Sequence, residues 1–326
     1  MAFANSDISD IIATTIENRS GVVADNVTDN NALLARLKQR GKVKPFSGGQ
    51  YIMQEIAFAE NSNAMYYSGG EALAISAQDV ISAARFDIKQ AACAVTITGL
   101  EQLQNAGEEQ FIDLLDTRVE VAENSLTNLI ASGIYSDGTG SGGKQVTGLQ
   151  AIVADAPGSG TVGGIDRSTW SFWRNQTFDA TSAGGSSTSA TNISTYWNTL
   201  YASMVRGSDV PDLICTDNSH WGYYVASLQA NQRFTGDSKM AGAGFVTLKF
   251  MNADVVLDGG IGGNVPSKHT YFLNTKYLFY RPHRARNFTS IGGDRFSTNQ
   301  DAVVRLMGWA GNLACSGAQF QGVHFE

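Results

Sequence analysis

The sequence is short of charge. Asp, Glu, Lys and Arg make up 16% of its 326 residues, against about 25% in ordinary soluble domains. What charge there is leans negative: 23 Lys and Arg stand against 30 Asp and Glu, a formal net charge of −7. A dedicated nucleic-acid binder carries a basic excess to displace phosphate counterions, and the chain as a whole lacks one. Cysteines number three (Cys93, Cys215 and Cys315), far apart and without a C-x-x-C pair. That excludes a disulfide framework and a cysteine zinc site. Each sits among apolar residues, as a small buried hydrophobe does in a reducing compartment. The four histidines, His220, His269, His283 and His324, include no two at metal-ligand spacing. No run approaches the ~18 apolar residues of a membrane span, and the opening MAFANSDISD has neither the basic nor the apolar region of a signal peptide.

Catalytic signatures are as sparse. Residues 138–145, GTGSGGKQ, come within one position of the phosphate-binding G-x-x-x-x-G-K-[ST] loop. That loop joins a strand to a helix, so that loop amides and the helix N-terminus face the phosphates, and its last hydroxyl binds magnesium. Here a long helical pattern precedes the loop, strand-like GLQAIVA follows, and Gln145 replaces the hydroxyl. The expected role is a connector. In TDNSHWG, Asp217, Ser219 and His220 are near neighbours at a strand-to-helix junction. Capping by Ser219 explains them more simply than a catalytic triad, which needs three converging side chains. Asp113, Asp116, Glu120 and Glu123 fall on the polar face of the long helical pattern. No catalytic residue, metal or cofactor is expected.

Glycine, in contrast, is plentiful at 35 residues. Much glycine with little charge suggests a loop-rich chain that covers its surface with partners. A short helix is expected over 7–18, where Ile8, Ile11, Ile12 and Ile16 share a face and Asp7 can cap it. A second follows in NALLARLKQRGK. The first 45 residues therefore read as an arm without a core of its own. QYIMQEIAFA (50–59) reads as a strand, Asn61-Ser62-Asn63 as a turn, and AMYYSGGEALAI (64–75) as the returning strand. Such a lone hairpin is marginal in water and needs a surface to lie on. Phe86–Thr98 is β-rich, and Thr98 with Glu101 forms a capping box.

The strongest periodic signal comes next. Phe111, Leu114, Leu115, Val119, Ala122, Leu126, Leu129 and Ile130 make an apolar stripe at 3.6 spacing. Further on, an amphipathic helix is expected from Ile193, Trp197, Leu200, Tyr201 and Met204, then a buried strand DLICT and a helix HWGYYVASLQANQ. This alternation suggests an α/β lobe. After Pro266 the chain is nearly all strand.

Two basic clusters remain, Arg36, Lys38, Arg40, Lys42 and Lys44 in the arm, and Arg281, Arg284 and Arg286 in RPHRAR. Either can touch phosphate, pair with a neighbouring subunit, or salt-bridge to the chain's own acidic excess.

The order arm, hairpin, strand, long one-sided helix, α/β lobe and terminal strands resembles the major capsid proteins of tailed double-stranded DNA bacteriophages, whose fold encapsulin shells share. KQAACAVTITGLEQLQNAGEEQFIDLLDTRVEVAENSLTNLIASGIYSDG carries most of the resemblance. PDLICTDNSHWGYYVASLQANQRF, NADVVLDGGI, YFLNTKYLFYRP and VVRLMGWAGNLACSGAQFQGVHF carry the rest. The resemblance implies an α+β capsid fold: an N-terminal arm (1–45), an extended loop (46–75), a peripheral domain with a spine helix (76–145), an axial domain (146–265) and late strands returning to the peripheral domain (266–326). It implies a structural protein that assembles with itself into hexamers and pentamers. The product is an icosahedral head around double-stranded DNA that it touches loosely, in the virion, built in the bacterial host cytoplasm without a membrane. A portal, a separate scaffolding protein and decoration proteins are the implied partners. The alternatives are an encapsulin-like compartment and, from another class, a soluble α/β hydrolase or nucleotide-binding enzyme.

Overall fold

The computed structural model describes residues 31–100, 108–229, 247–259, 264–292, 295–296 and 302–326. The helix expected over 7–18 and Glu101 of the capping box lie outside them. So do the side chains of Phe111, Leu114 and Leu115.

Helix α1 (Ala32–Gln39) starts at Asn31, whose side-chain oxygen accepts from the amides of Leu33 and Leu34 at 3.1 and 3.2 Å. Such a cap contributes about 1 kcal/mol. Ala32, Leu33, Leu34, Ala35 and Leu37 are all buried in the main core. The second helix of the expected arm is therefore buried: it has no core of its own but packs into that of the rest of the chain. Its leucines needed a surface from residues some 180 positions away, which local pattern does not reveal.

Strand β1 (Tyr51–Ala57) pairs antiparallel with β2 (Ile81–Asp87), Tyr51 opposite Asp87 and Ala57 opposite Ile81. The returning strand is thus 81–87, not 64–75, and the loop between the strands is far longer than the expected turn. β3 (Lys89–Thr98) follows, then α2 (Glu108–Ile134), a rod of about 40 Å. Val95 and Ile97 of β3 and Val119, Ala122, Leu126 and Ile130 of α2 are buried in the same core, as the period-2 and period-3.6 patterns require. Leu129, assigned to the stripe, is instead half exposed.

Beyond α2 the chain makes two four-residue helical turns, 140–143 and 149–152. The second replaces the strand expected from GLQAIVA. Gly148 sits where the chain folds back against the helix end. A Cβ there would lie 2.5 Å from the carbonyls of Gly133 and Ile134, so only glycine fits. The remaining elements are β4 (Thr161–Val162), β5 (Ile165–Asp166), β6 (Gln176–Asp179), α3 (Ile193–Met204), β7 (Leu213–Thr216), α4 (Asn218–Gln229), β8 (Thr247–Phe250), β9 (Ala253–Leu257), β10 (His269–Leu273), β11 (Leu278–Ser290), β12 (Arg295–Phe296), β13 (Ala302–Cys315) and β14 (Gly322–Phe325).

Two larger sheets organise them. In the first, β13 is central, paired with β3 on one side and with β11 and β12 on the other, all antiparallel. The second is mixed, in the order β6-β14-β10-β7-β9-β8, with β6/β14 and β7/β9 parallel. The stretch 266–326, expected to return to one domain, divides between them: β10 and β14 join the mixed sheet, β11 and β13 the antiparallel one. Leu213, Cys215, Tyr271 and Leu273 face the main core, while Ile214, Phe272 and Val255 face a second core under α3 and α4. A strand buried on both faces reads as a continuous apolar run, which is why LICT is legible. In the second core Trp197 lies 4.6 Å from Tyr224, 5.4 Å from Phe250 and 5.6 Å from Phe272, ring to ring. Such pairs contribute about 0.5–1.5 kcal/mol each beyond their buried area.

Candidate assembly surfaces

The stretches that looked closest to catalysis are structural. In GTGSGGKQ, Gly138, Gly142 and Gly143 have positive φ, as does Ser141, and Asp137 accepts from the Thr139 amide and hydroxyl at 2.9 and 2.7 Å. These bonds hold the Asp137 carboxyl below its ordinary pKa. Lys89 donates to the Gly143 carbonyl at 2.6 Å. The loop is a pinned turn after α2, and Lys144 is exposed on it. Lys144→Ala is expected to change stability by less than about 0.5 kcal/mol and to leave nucleotide affinity at its background value, as a thermal melt with and without ATP would show.

Asp217, Ser219 and His220 do not form a triad. Asp217, not Ser219, caps α4: its carboxylate accepts from the amides of His220 (3.0 Å) and Ser219 (3.3 Å), and also from Lys268 (2.7 Å). The His220 ring turns inward to the Thr270 hydroxyl at 2.8 Å and stacks on His324, 4.7 Å between centroids. Burial pushes the two imidazoles down to about 4 and about 3. Trp197 donates to Nδ1 of His324 at 3.3 Å, so the proton of that ring sits on Nε2, beside Thr188 Oγ1. Both rings are neutral packing groups. Among the described residues no cluster of His, Cys, Asp or Glu could hold a metal, and no described helix is long and apolar enough to cross a membrane.

The surface that stands out is the long loop between β1 and β2. Ile52 and Ile56 anchor one face of the hairpin in the core, while Met53 is 54% exposed on the other. Beyond the hairpin, Tyr66 (104% exposed), Tyr67, Leu73 and Ile75 (93%) stand in solvent. Scattered exposed apolar residues are normal, but a concentration of them in one loop marks a surface that another molecule covers.

The two basic clusters, remote in sequence, meet in space. Residues 42–46 run beside β11: the Lys44 amide donates to Tyr280, Phe46 to Pro282, and Arg284 to Phe46, at 2.8–3.0 Å. Lys42 and Lys44 both lie over the Phe279 ring, at 4.9 and 5.4 Å. Partial burial lowers the pKa of Lys42, as do the nearby charges of Lys44, Arg40 and Lys276. β11 shifts register between Pro282 and Asn287, and the bulge carries Arg284 into solvent and lets Arg286 donate to Gln90 at 2.9 Å. Arg36 differs. It is buried, with Nε 2.9 Å from Asp212 and Nη1 3.6 Å from Asp254. Arg40 also reaches Asp212, at 3.1 Å. For these two the salt-bridge reading holds. Lys38 is exposed on α1.

No family model matches the sequence, and no curated protein matches it either. Solved structures do match in shape. The capsid asymmetric unit of cyanophage A-1(L) superposes with a TM-score of 0.65 at 17% identity, over 87% of this chain and 90% of that one. This is the tailed-phage capsid fold. The capsid of an empty GTA particle shares it, with a TM-score of 0.57, 9% identity and 88% coverage of each chain. So does the holo-SrpI encapsulin complex from Synechococcus elongatus, with a TM-score of 0.51, 9% identity, and 89% and 86% coverage. Within the capsid fold, residues that sequence reading passed over tie its parts together. Asp212 and Asp254 bind α1 to the mixed sheet. Asn312 on β13 accepts from the Thr147 amide at 2.9 Å and donates to the Asp87 carbonyl at 2.8 Å. The only sequence signal for them is an Asp or Asn within a strand pattern or just before one.

Proposed function

We propose that this chain is the major capsid protein of a tailed double-stranded DNA bacteriophage, a structural and non-catalytic subunit that assembles into hexamers and pentamers of an icosahedral head. The observation that carries this reading is the hairpin: one face is fixed in its own core, and the loop beyond it presents tyrosines, leucine and isoleucine to solvent. A monomeric enzyme has no use for such a loop. A shell subunit buries it on its neighbour, through contacts repeated by symmetry. Capsid-fold coverage of almost nine-tenths of the chain supports the same reading. So does the mildly negative charge, since packed DNA should not adhere strongly to the wall.

On this reading residues 1–45 serve as the arm and the loop from residue 46 reaches over the next subunit. The α2 region is the peripheral domain, and the mixed sheet with α3 and α4 is the axial domain. A portal, a scaffolding protein and decoration proteins are the partners of such a subunit in the virion, and assembly belongs in the bacterial cytoplasm. The likeness to an encapsulin gives a second reading, a compartment around a cargo protein. Expression alone and with candidate scaffolding protein, followed by electron microscopy, separates these. Head-sized shells, sheets or capsomers are expected. Small shells filled with a protein cargo would favour the compartment, and small particles only would reject both.

A further inference from the structure

The strip where the two basic clusters meet is left unneutralised among the described residues. Among the described residues, Lys42, Lys44, Arg281, Arg284 and Arg286 have no carboxylate partner, whereas Arg36, Arg40 and Lys276 do. Arg281 is partly buried with Nε unpaired, and burial lowers its pKa. A buried donor without an acceptor costs free energy until something supplies one. The opposite imbalance lies next to it in sequence. Between Lys44 and Arg85 the chain carries Glu55, Glu60, Glu71 and Asp79 and not one Lys, Arg or His. All four acids are exposed, and none has an ion-pair partner among the described residues. They share the loop with the exposed Tyr66, Tyr67, Leu73 and Ile75.

Among the described residues, none of these acids pairs with the strip of its own chain. Phe46 is fixed beside Pro282 and His283 at the hairpin's root. From Tyr51 to Ala57 the β1/β2 ladder then runs for roughly 20 Å before the acidic loop begins.

We propose that the strip of Lys42, Lys44, Arg281, Arg284 and Arg286 is the docking surface for the acidic loop of a second copy of this chain. Glu60, Glu71 and Asp79 meet the cations, and the loop's apolar residues are covered beside them. The contact is heterologous, loop to strip, so each copy gives one and receives one, as a ring or shell requires. Charge complementarity of this kind fixes register and rejects wrong partners more than it adds affinity. Because this docking presupposes a shell, its test must separate failure of the shell from failure of the strip.

The test uses the full chain. The strip variant K42E/K44E/R284E and the loop variant E60K/E71K/D79K are each expected to raise the concentration threshold for assembly about tenfold, read by sedimentation velocity, with unchanged circular dichroism. Combined in one chain, the two sets of changes restore attraction and should return the threshold to within about threefold of the parent. The parent's own threshold should rise with salt as screening shortens the reach of the charges. If the triple strip variant melts early, K44A/R284A takes its place, with a threefold rise expected. A folded strip variant that assembles at the parental threshold overturns the proposal. So does a combined variant no better than either half. A strip variant that assembles normally but no longer retains added double-stranded DNA also overturns it, by assigning the strip to a polyanion. A parent chain that stays monomeric under every condition overturns the shell and this docking together.

Discussion

Asp212→Ala is expected to cost about 3–5 kcal/mol of folding free energy, close to what breaking a buried ion pair costs elsewhere. Asp212 is 6% exposed. Its Oδ2 accepts from Arg36 at 2.9 Å, Arg40 at 3.1 Å and the Thr275 hydroxyl at 2.8 Å, and its Oδ1 from the Thr275 amide at 2.7 Å. Among the described residues, removing the carboxylate leaves the buried Arg36 guanidinium with Asp254 at 3.6 Å and the backbone carbonyl of residue 212 at 3.5 Å. Asp212→Asn keeps an acceptor for Thr275 and should cost less, about half as much. Chemical denaturation of the monomeric chain measures both. Equal and small losses, under about 1 kcal/mol, would mean that water replaces the missing acceptor and that α1 is held by its leucines alone.

Acidification is the second large effect, and its sign follows from the imidazole pair. In the unfolded chain His220 and His324 titrate near 6.5; in the fold they titrate at about 4 and about 3. Below pH 6.5 the unfolded state binds protons that the folded state refuses, so stability falls with pH until the folded rings themselves titrate. The loss between pH 6.5 and pH 4 is on the order of 5 kcal/mol for the two rings. Geometry supports it: protonating Nδ1 of His324 breaks its bond from Trp197, and two charged rings stacked 4.7 Å apart repel. His269 works the other way. Burial opposes its charge, but its bonds to Asp155 and the Ser267 carbonyl prevail and raise its pKa. It therefore contributes stability below 6.5 and offsets part of the loss. Carboxylates held low, such as Glu326 at about 2 through its bond from Lys268, withdraw their contribution only at lower pH. An unfolding free energy that stays flat from pH 7 to 4.5, followed by denaturant titration, would contradict this account.

Legibility in the sequence followed how local the cause was. Ile193, Trp197, Leu200, Tyr201 and Met204 were assigned to one helical face, and all five are buried in α3. Val119, Ala122, Leu126 and Ile130 of α2 behave the same way. In both helices spacing identifies the side chains that meet the core, apart from Leu129 of α2, which stays half exposed. The failures came where one residue's role depends on a distant one. AMYYSGGEALAI has strand composition, yet among the described residues no strand lies beside it, so its apolar residues stay exposed and Ile81–Asp87 takes the pairing. α1 looked coreless because its floor is β7 and β11, far along the chain. Ser219 was a plausible cap, but Asp217, two residues earlier, has a carboxylate that reaches both amides. The basic clusters were visible as clusters. Their convergence was not, because it depends on residues 42–46 lying along 280–284.

The mixed sheet and the antiparallel sheet are threaded by the same closing stretch, with β10 and β14 in one and β11 and β13 in the other. This bears on how the chain folds. Its ties are among the most non-local a chain of this length can make: Asn312 holds Asp87 across 225 positions and Arg36 holds Asp212 across 176. Loop closure over such spans must be met before any contact rewards it, so folding is slow for the chain's size. Neither half can finish first, because β14 fills the gap between β6 and β10 and leaves two bare edges until it arrives. Unfinished chains expose those edges as templates for pairing with one another. The chain is kinetically a single unit, and cutting it into lobes for separate expression would yield aggregates.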